Sequence, residues 1–104
     1  MALRVRVCRR QDVPPGECRA FPVAGVDWPI LVVNIEGAYL AATSRCPHED
    51  VSLAGGSREG TRIECPGHGY AFDLATGACT HDPHLTLPRY RVSFEGDDLY
   101  VDLI

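Results

Sequence analysis

Cys46-Pro47-His48 and Cys65-Pro66-Gly67-His68, separated by the sixteen residues Glu49 to Glu64, are the stretches on which this chain turns. Each offers one thiolate and one imidazole, two or three residues apart. Pro47 and Pro66 stiffen each loop directly after its cysteine. Gly67 and Gly69 flank His68 and let the chain wrap closely without Cβ conflict. Two such Cys/His pairs satisfy a two-iron, two-sulfide cluster, with one iron on Cys46 and Cys65 and the other on His48 and His68. Four such donors also satisfy a tetrahedral structural zinc, which would make the chain an interaction module. A C-x-H pair is tight for zinc, whose paired ligands usually stand farther apart in sequence.

The mixed donor set has an electrostatic consequence. Two ferric ions and two sulfides carry a positive core charge that two thiolates cancel, and neutral imidazoles leave it cancelled. Four thiolates would make it dianionic. An added electron then leaves a monoanion rather than a trianion, which costs less in a partly buried site. The potential is expected above that of all-cysteine plant-type clusters, at about −150 mV or more positive. The imidazoles belong at the exposed end, because their outer nitrogens need water or a partner, and they are the natural exit for an electron.

Working outward from the loops, the chain reads as all-β. Ile30 to Ile35, Glu36-Gly37 and Ala38 to Thr43 read as strand, tight turn and strand. Tyr90 to Phe94 and Leu99 to Leu103 flank Glu95-Gly96-Asp97-Asp98 as a second hairpin. Leu3 to Cys8 alternates apolar residues with Arg, as an edge strand does, and Glu17 to Phe21 follows a Pro14-Pro15-Gly16 break. Between the hairpins, Ser44 to Pro88 is rich in Gly, Pro, Cys and His. Short strands at Arg62 to Glu64 and Ala71 to Asp73 carry the second loop, and Val51 to Ala54 has room for one helical turn. The layout predicts a basal β-sandwich or partly open barrel, residues 1–43 and 89–104, with a smaller subdomain at about 44–88 inserted into it.

With 104 residues the chain is read as one small domain, too short for a second catalytic module. It has no apolar run near the roughly 18 residues of a membrane span. The first ten residues lack an uninterrupted apolar stretch of the secretory kind, so a cytoplasmic location is expected. Charge is uneven: residues 1–20 hold five Arg against two acids, about +3, and residues 21–104 hold five Arg against twelve acids, about −7. Nucleic acid is a poor partner for such a body. An acidic surface suits docking to basic patches on proteins, and Glu49, Asp50 and Asp82 are the acids closest to the loops. Cys8, Cys18 and Cys79 lack metal-ligand spacing and are read as reduced packing residues rather than parts of a disulfide scaffold.

The pattern C-x-H-x16-C-x-x-H, its flanking glycines and the following Phe72-Asp73-Leu74-Ala75-Thr76-Gly77 resemble the Rieske family. The resemblance implies a single Rieske domain over residues 1–104, holding one [2Fe–2S] cluster on Cys46, His48, Cys65 and His68. It places Asp82-Pro83-His84-Leu85 where a proline-containing loop screens the cluster, with Pro83 at its centre. High-potential members staple their loops with a disulfide; here the matching positions are Val51 and Gly67. Those members also donate hydroxyls to cluster sulfurs from positions held here by Tyr70 and Phe72. Both departures point to the low-potential branch, the Rieske-type ferredoxins and oxygenases. A free-standing module of this length resembles the ferredoxin components of multicomponent aromatic-ring or alkene oxygenases. The implied role is a monomeric one-electron carrier rather than an enzyme. It would take electrons from a flavin-dependent NAD(P)H reductase and pass them to a terminal oxygenase, either a Rieske dioxygenase or a di-iron monooxygenase. The small subunit of assimilatory nitrite reductases is the second similar class.

Overall fold

The computed structural model describes residues 3–67 and 69–103, so His68 lies outside the described residues. Among the described residues nine strands form two sheets: β1 (Arg4–Arg9), β2 (Cys18–Phe21), β3 (Ile30–Ile35), β4 (Ala38–Thr43), β5 (Arg58–Glu59), β6 (Arg62–Glu64), β7 (Ala71–Asp73), β8 (Arg89–Glu95) and β9 (Asp98–Asp102). A curled six-stranded antiparallel sheet runs β1-β9-β8-β4-β3-β2, and a three-stranded sheet runs β5-β6-β7. The small sheet is inserted between β4 and β8. Among the described residues no helix is long and apolar enough to cross a membrane.

β3 is the strand that joins the two halves. Antiparallel strands with one wet face alternate apolar and polar residues, but Ile30-Leu31-Val32-Val33-Asn34 is buried throughout. Ile30 and Val32 face a basal core with Cys8, Val13, Ala41, Leu99 and Val101. Leu31 and Val33 face a second core with Ala42, Leu53, Ile63, Phe72, Leu74 and Leu87, to which Cys46 and Cys65 also belong. One strand thus serves as floor to one core and roof to the other.

Glu36 (φ 52°) and Gly37 (φ 92°) both take left-handed backbone, as a two-residue hairpin with the twist of its strands requires. Asn34, buried beneath this turn, is fully engaged. Its Nδ2 donates to the Val13 carbonyl (2.9 Å), and its Oδ1 accepts from Gly37 N–H (2.8 Å). Two features depart from the sequence reading. β1 carries a bulge between Arg6 and Cys8, which breaks strict alternation and turns Cys8 into the basal core beside the half-buried Val5 and Val7. β5, only two residues long, pairs with β6 and adds a strand that the sequence reading did not include.

The arginines of β1 lie against the acids of the β8–β9 hairpin. Arg4 pairs with Glu95, and Arg6 Nε donates to Asp98 Oδ1 at 3.0 Å. Arg4 also covers the Tyr100 ring at 4.3 Å, and Arg10 covers Phe94 at 3.6 Å. Such exposed pairs add at most about 1 kcal/mol each, but they place the basic N-terminal segment beside its own counter-charges.

All five cysteines are free thiols. Burial pushes Cys8 up from the ordinary 9.0 to about 11, helped by the Asp12 charge and opposed by Arg6. Burial likewise raises Cys18 to about 11, against the pull of Arg58. A thiol with a raised folded pKa contributes stability that is complete below its unfolded value and lost as pH rises through the folded one. The melting temperature is therefore expected to decline between about pH 9 and pH 11, and Cys8→Ala with Cys18→Ala to flatten that decline. Thermal scans across this range check it, and equal slopes for both proteins would refute it.

Candidate functional site

Both ligand loops close in the same way. In the first, Cys46 N–H donates to the Val51 carbonyl at 3.0 Å, and a bridge between Arg45 and Ser52 seals the neck. Glu49 N–H turns back to the Cys46 carbonyl at 3.1 Å. In the second, which connects β6 to β7, Cys65 N–H donates to the Tyr70 carbonyl at 2.6 Å and Gly69 N–H to the Cys65 carbonyl at 3.0 Å. Gly69 has φ +74°, a conformation that would strain a residue with a side chain. Gly67 leaves room for a side chain of the first loop. A Cβ there would stand 2.0 Å from Glu49 Oε1, because the Glu49 side chain reaches across from the first loop.

The closures bring the two thiols together in the outer core, where Cys46 is 0% and Cys65 1% exposed. Burial raises the pKa of Cys46, backbone N–H groups of His48 and Glu49 aimed at its sulfur lower it, and the neighbouring Cys65 raises it again. Two adjacent buried thiols cannot both ionise without a cation between them, whereas a metal core deprotonates coordinating thiols outright. The amides aimed at Cys46 are the donors that a thiolate or a bridging sulfide accepts from. The imidazole of His48 stands at the exposed end of its loop. Two converging thiols inside, an imidazole outside and inward amides fit a [2Fe–2S] cluster held by Cys46, Cys65, His48 and the motif position His68.

The other residues singled out in the sequence distribute around this centre. Pro47 is half-buried and Pro66 exposed. Phe72 is fully buried, paired with Ile63 on β6 and bridged to Cys79 on its other side. Pro83 is exposed, in a turn where Asp82 Oδ1 accepts from His84 N–H at 2.9 Å. Of the three acids closest to the loops, Asp50 faces solvent at 74% exposure, paired to Arg45 Nε at 2.6 Å. Asp82 is half-buried. Glu49 differs most: it is half-buried, with Oε1 3.8 Å from Cys65 Sγ.

Tyr70 has a role that sequence reading missed. It stacks on His48 with ring centroids 4.3 Å apart and planes at 31°, and on His81 at 5.3 Å and 12°. The signal lay in register. The Phe72–Cys79 bridge, continued outward by one step on the same face, sets Tyr70 opposite His81.

The model of the Rieske [2Fe-2S] domain family matches residues 4–91. The chain belongs to that family. It is 38% identical over 104 residues to the ferredoxin component of biphenyl 2,3-dioxygenase from Rhodococcus jostii (strain RHA1), covering 99% of this chain and 94% of that protein. Among solved structures, Sphingomonas yanoikuyae B1 ferredoxin superposes with a TM-score of 0.88 at 31% identity, covering 98% of this chain and 100% of the other. A chain from the complex of reduced oxygenase and oxidised ferredoxin in carbazole 1,9a-dioxygenase superposes at 0.85 and 30%, over 95% and 92%. The cofactor of this Rieske protein is accordingly a [2Fe–2S] cluster, and its class is that of the dioxygenase ferredoxin components, which are electron carriers.

Proposed function

We propose that this Rieske ferredoxin works in the cytoplasm, taking single electrons from a flavin-dependent NAD(P)H reductase and delivering them to the terminal oxygenase of an aromatic-ring dioxygenase. The observation that carries this reading is the end-to-end likeness to the biphenyl dioxygenase component, at 38% identity over 99% of the chain. It favours an oxygenase partner over a nitrite reductase, and a Rieske dioxygenase over a di-iron monooxygenase. The cluster supplies a one-electron couple, with a midpoint expected near the low end of the Rieske span, at about −150 mV.

The residues supply access and insulation. Cys46 and Cys65 are shut inside the outer core, so electrons do not enter or leave from that side. His48, on the exposed face, offers its ring to a partner. Asp50, at the rim, projects a negative charge that Arg45 partly cancels, and Asp82 adds a second.

Anaerobic stopped-flow reduction by the reductase, followed by mixing with the oxygenase, tests the role. Asp50→Asn with Asp82→Asn is expected to slow the bimolecular step severalfold at low salt. The deficit should vanish as the Debye length falls to about 3 Å near 1 M salt. Transfer to a nitrite reductase but not to an oxygenase, or a midpoint several hundred millivolts positive, would overturn the proposal.

A further inference from the structure

The two loops meet without a covalent staple, and one side chain bridges their outer edges. Tyr70 belongs to the second loop, yet its ring lies on the imidazole of His48 in the first, at 4.3 Å and 31°. Its position is set twice over. The Tyr70 carbonyl holds Cys65 N–H at 2.6 Å, and the opposite ring face is covered by His81, nearly parallel at 12°. His81 is itself fixed, with Nδ1 accepting from Ala71 N–H at 3.4 Å and 2.9 Å from Thr80 Oγ1. A three-ring stack therefore runs from a cluster ligand to a residue anchored on β7.

We infer that Tyr70, backed by His81, is the positioning residue for His48: the stack fixes the plane of the ligating imidazole and clasps the two loops. The inference rests on the ligand assignment above. A ring packed on the face of a ligating imidazole resists rotation of that imidazole about its metal–nitrogen bond. Such rotation alters both the imidazole's overlap with the iron and the direction of its outer nitrogen. The face of Tyr70, rather than its hydroxyl, supplies the restraint, so Phe is an adequate replacement and an aliphatic residue is not.

The test uses the cluster-loaded protein and reads the reduced cluster by continuous-wave and pulsed electron paramagnetic resonance, alongside iron and sulfide content. Tyr70→Phe is expected to preserve the g values, line widths and both imidazole nitrogen couplings. Tyr70→Leu is expected to keep the iron and sulfide, broaden the lines, and shift or smear the coupling of one imidazole while the other stays as internal reference. His81→Leu should give the same change in weaker form, with His81→Phe restoring the parent spectrum. This second pair carries the test should Tyr70→Leu fail to assemble. Fully loaded Tyr70→Leu and His81→Leu proteins with unaltered line shapes and nitrogen couplings would overturn the inference. So would loss of those features in Tyr70→Phe, which would assign the effect to the hydroxyl. A parent protein without a Rieske spectrum would instead overturn the ligand assignment itself.

Discussion

Cys46→Ser and Cys65→Ser are expected to yield colourless protein without stoichiometric iron and sulfide, and His48→Ala or His68→Ala to lose the Rieske spectrum or convert it to another species. The parent, reduced anaerobically, should show a one-electron, spin-one-half signal with a lower average g value than an all-cysteine cluster gives. The effect is large because each ligand loop carries a single cysteine, Cys46 in the first and Cys65 in the second. Cys8 lies in the basal core, and Cys18 and Cys79 are half-buried against the outer core rather than on the ligand loops themselves. Serine at position 46 or 65 would present a buried hydroxyl in place of a soft thiolate, in a place where water cannot compensate. An intact low-g signal after His48→Ala would refute the assignment, and stoichiometric zinc in a colourless parent would favour the structural-zinc reading. Reading colour, metal content and resonance together separates these outcomes.

Phe72→Ala is the substitution with the largest expected effect on stability. The ring is the largest fully buried side chain, at the middle of the short β7, paired on one edge with Ile63 and bridged on the other to Cys79. It belongs to the core that also holds Cys46 and Cys65. Truncating a buried Phe typically costs about 3–5 kcal/mol, a large share of the roughly 5–15 kcal/mol that holds a small domain together. Because the cavity opens under the ligand loops, cluster loss should accelerate as well. Urea titration of the loaded protein, followed by backbone ellipticity and by cluster absorbance, checks both effects. A cost below about 1 kcal/mol with unchanged cluster lifetime would mean that the outer core does not depend on this ring.

Much of this molecule is legible before it folds. The β3–β4 hairpin is written in two apolar runs around Glu36-Gly37, and the strands observed match those runs at both ends. β6 and β7 are legible because turn residues bracket them so closely. The ligand motif is legible because thiolates and imidazoles at that spacing have few other uses. What escapes is tertiary. β5 is two residues long and exists only because β6 offers it an edge. The β1 bulge turns Cys8 into the basal core, which no alternation rule contains. Glu49 looks like any other surface acid in a Cys-Pro-His-Glu-Asp string, and its turn toward Gly67 on the facing loop is a tertiary contact. The Tyr70–His81 pairing depends on a register that becomes visible once Cys79 is seen opposite Phe72.

Each ligand loop is tied off by a hydrogen bond from its own cysteine to a carbonyl five residues later, Cys46 to Val51 and Cys65 to Tyr70. In kinetic language these are local closures, fast to make and needing nothing from the rest of the chain. The slow, non-local event is the meeting of the two finished loops. The chain therefore arrives at its cofactor as a pair of closed half-sites, joined to the basal sheet through Leu31 and Val33 of β3. Acquiring a cluster then amounts to shutting a clasp between loops that are already tied off.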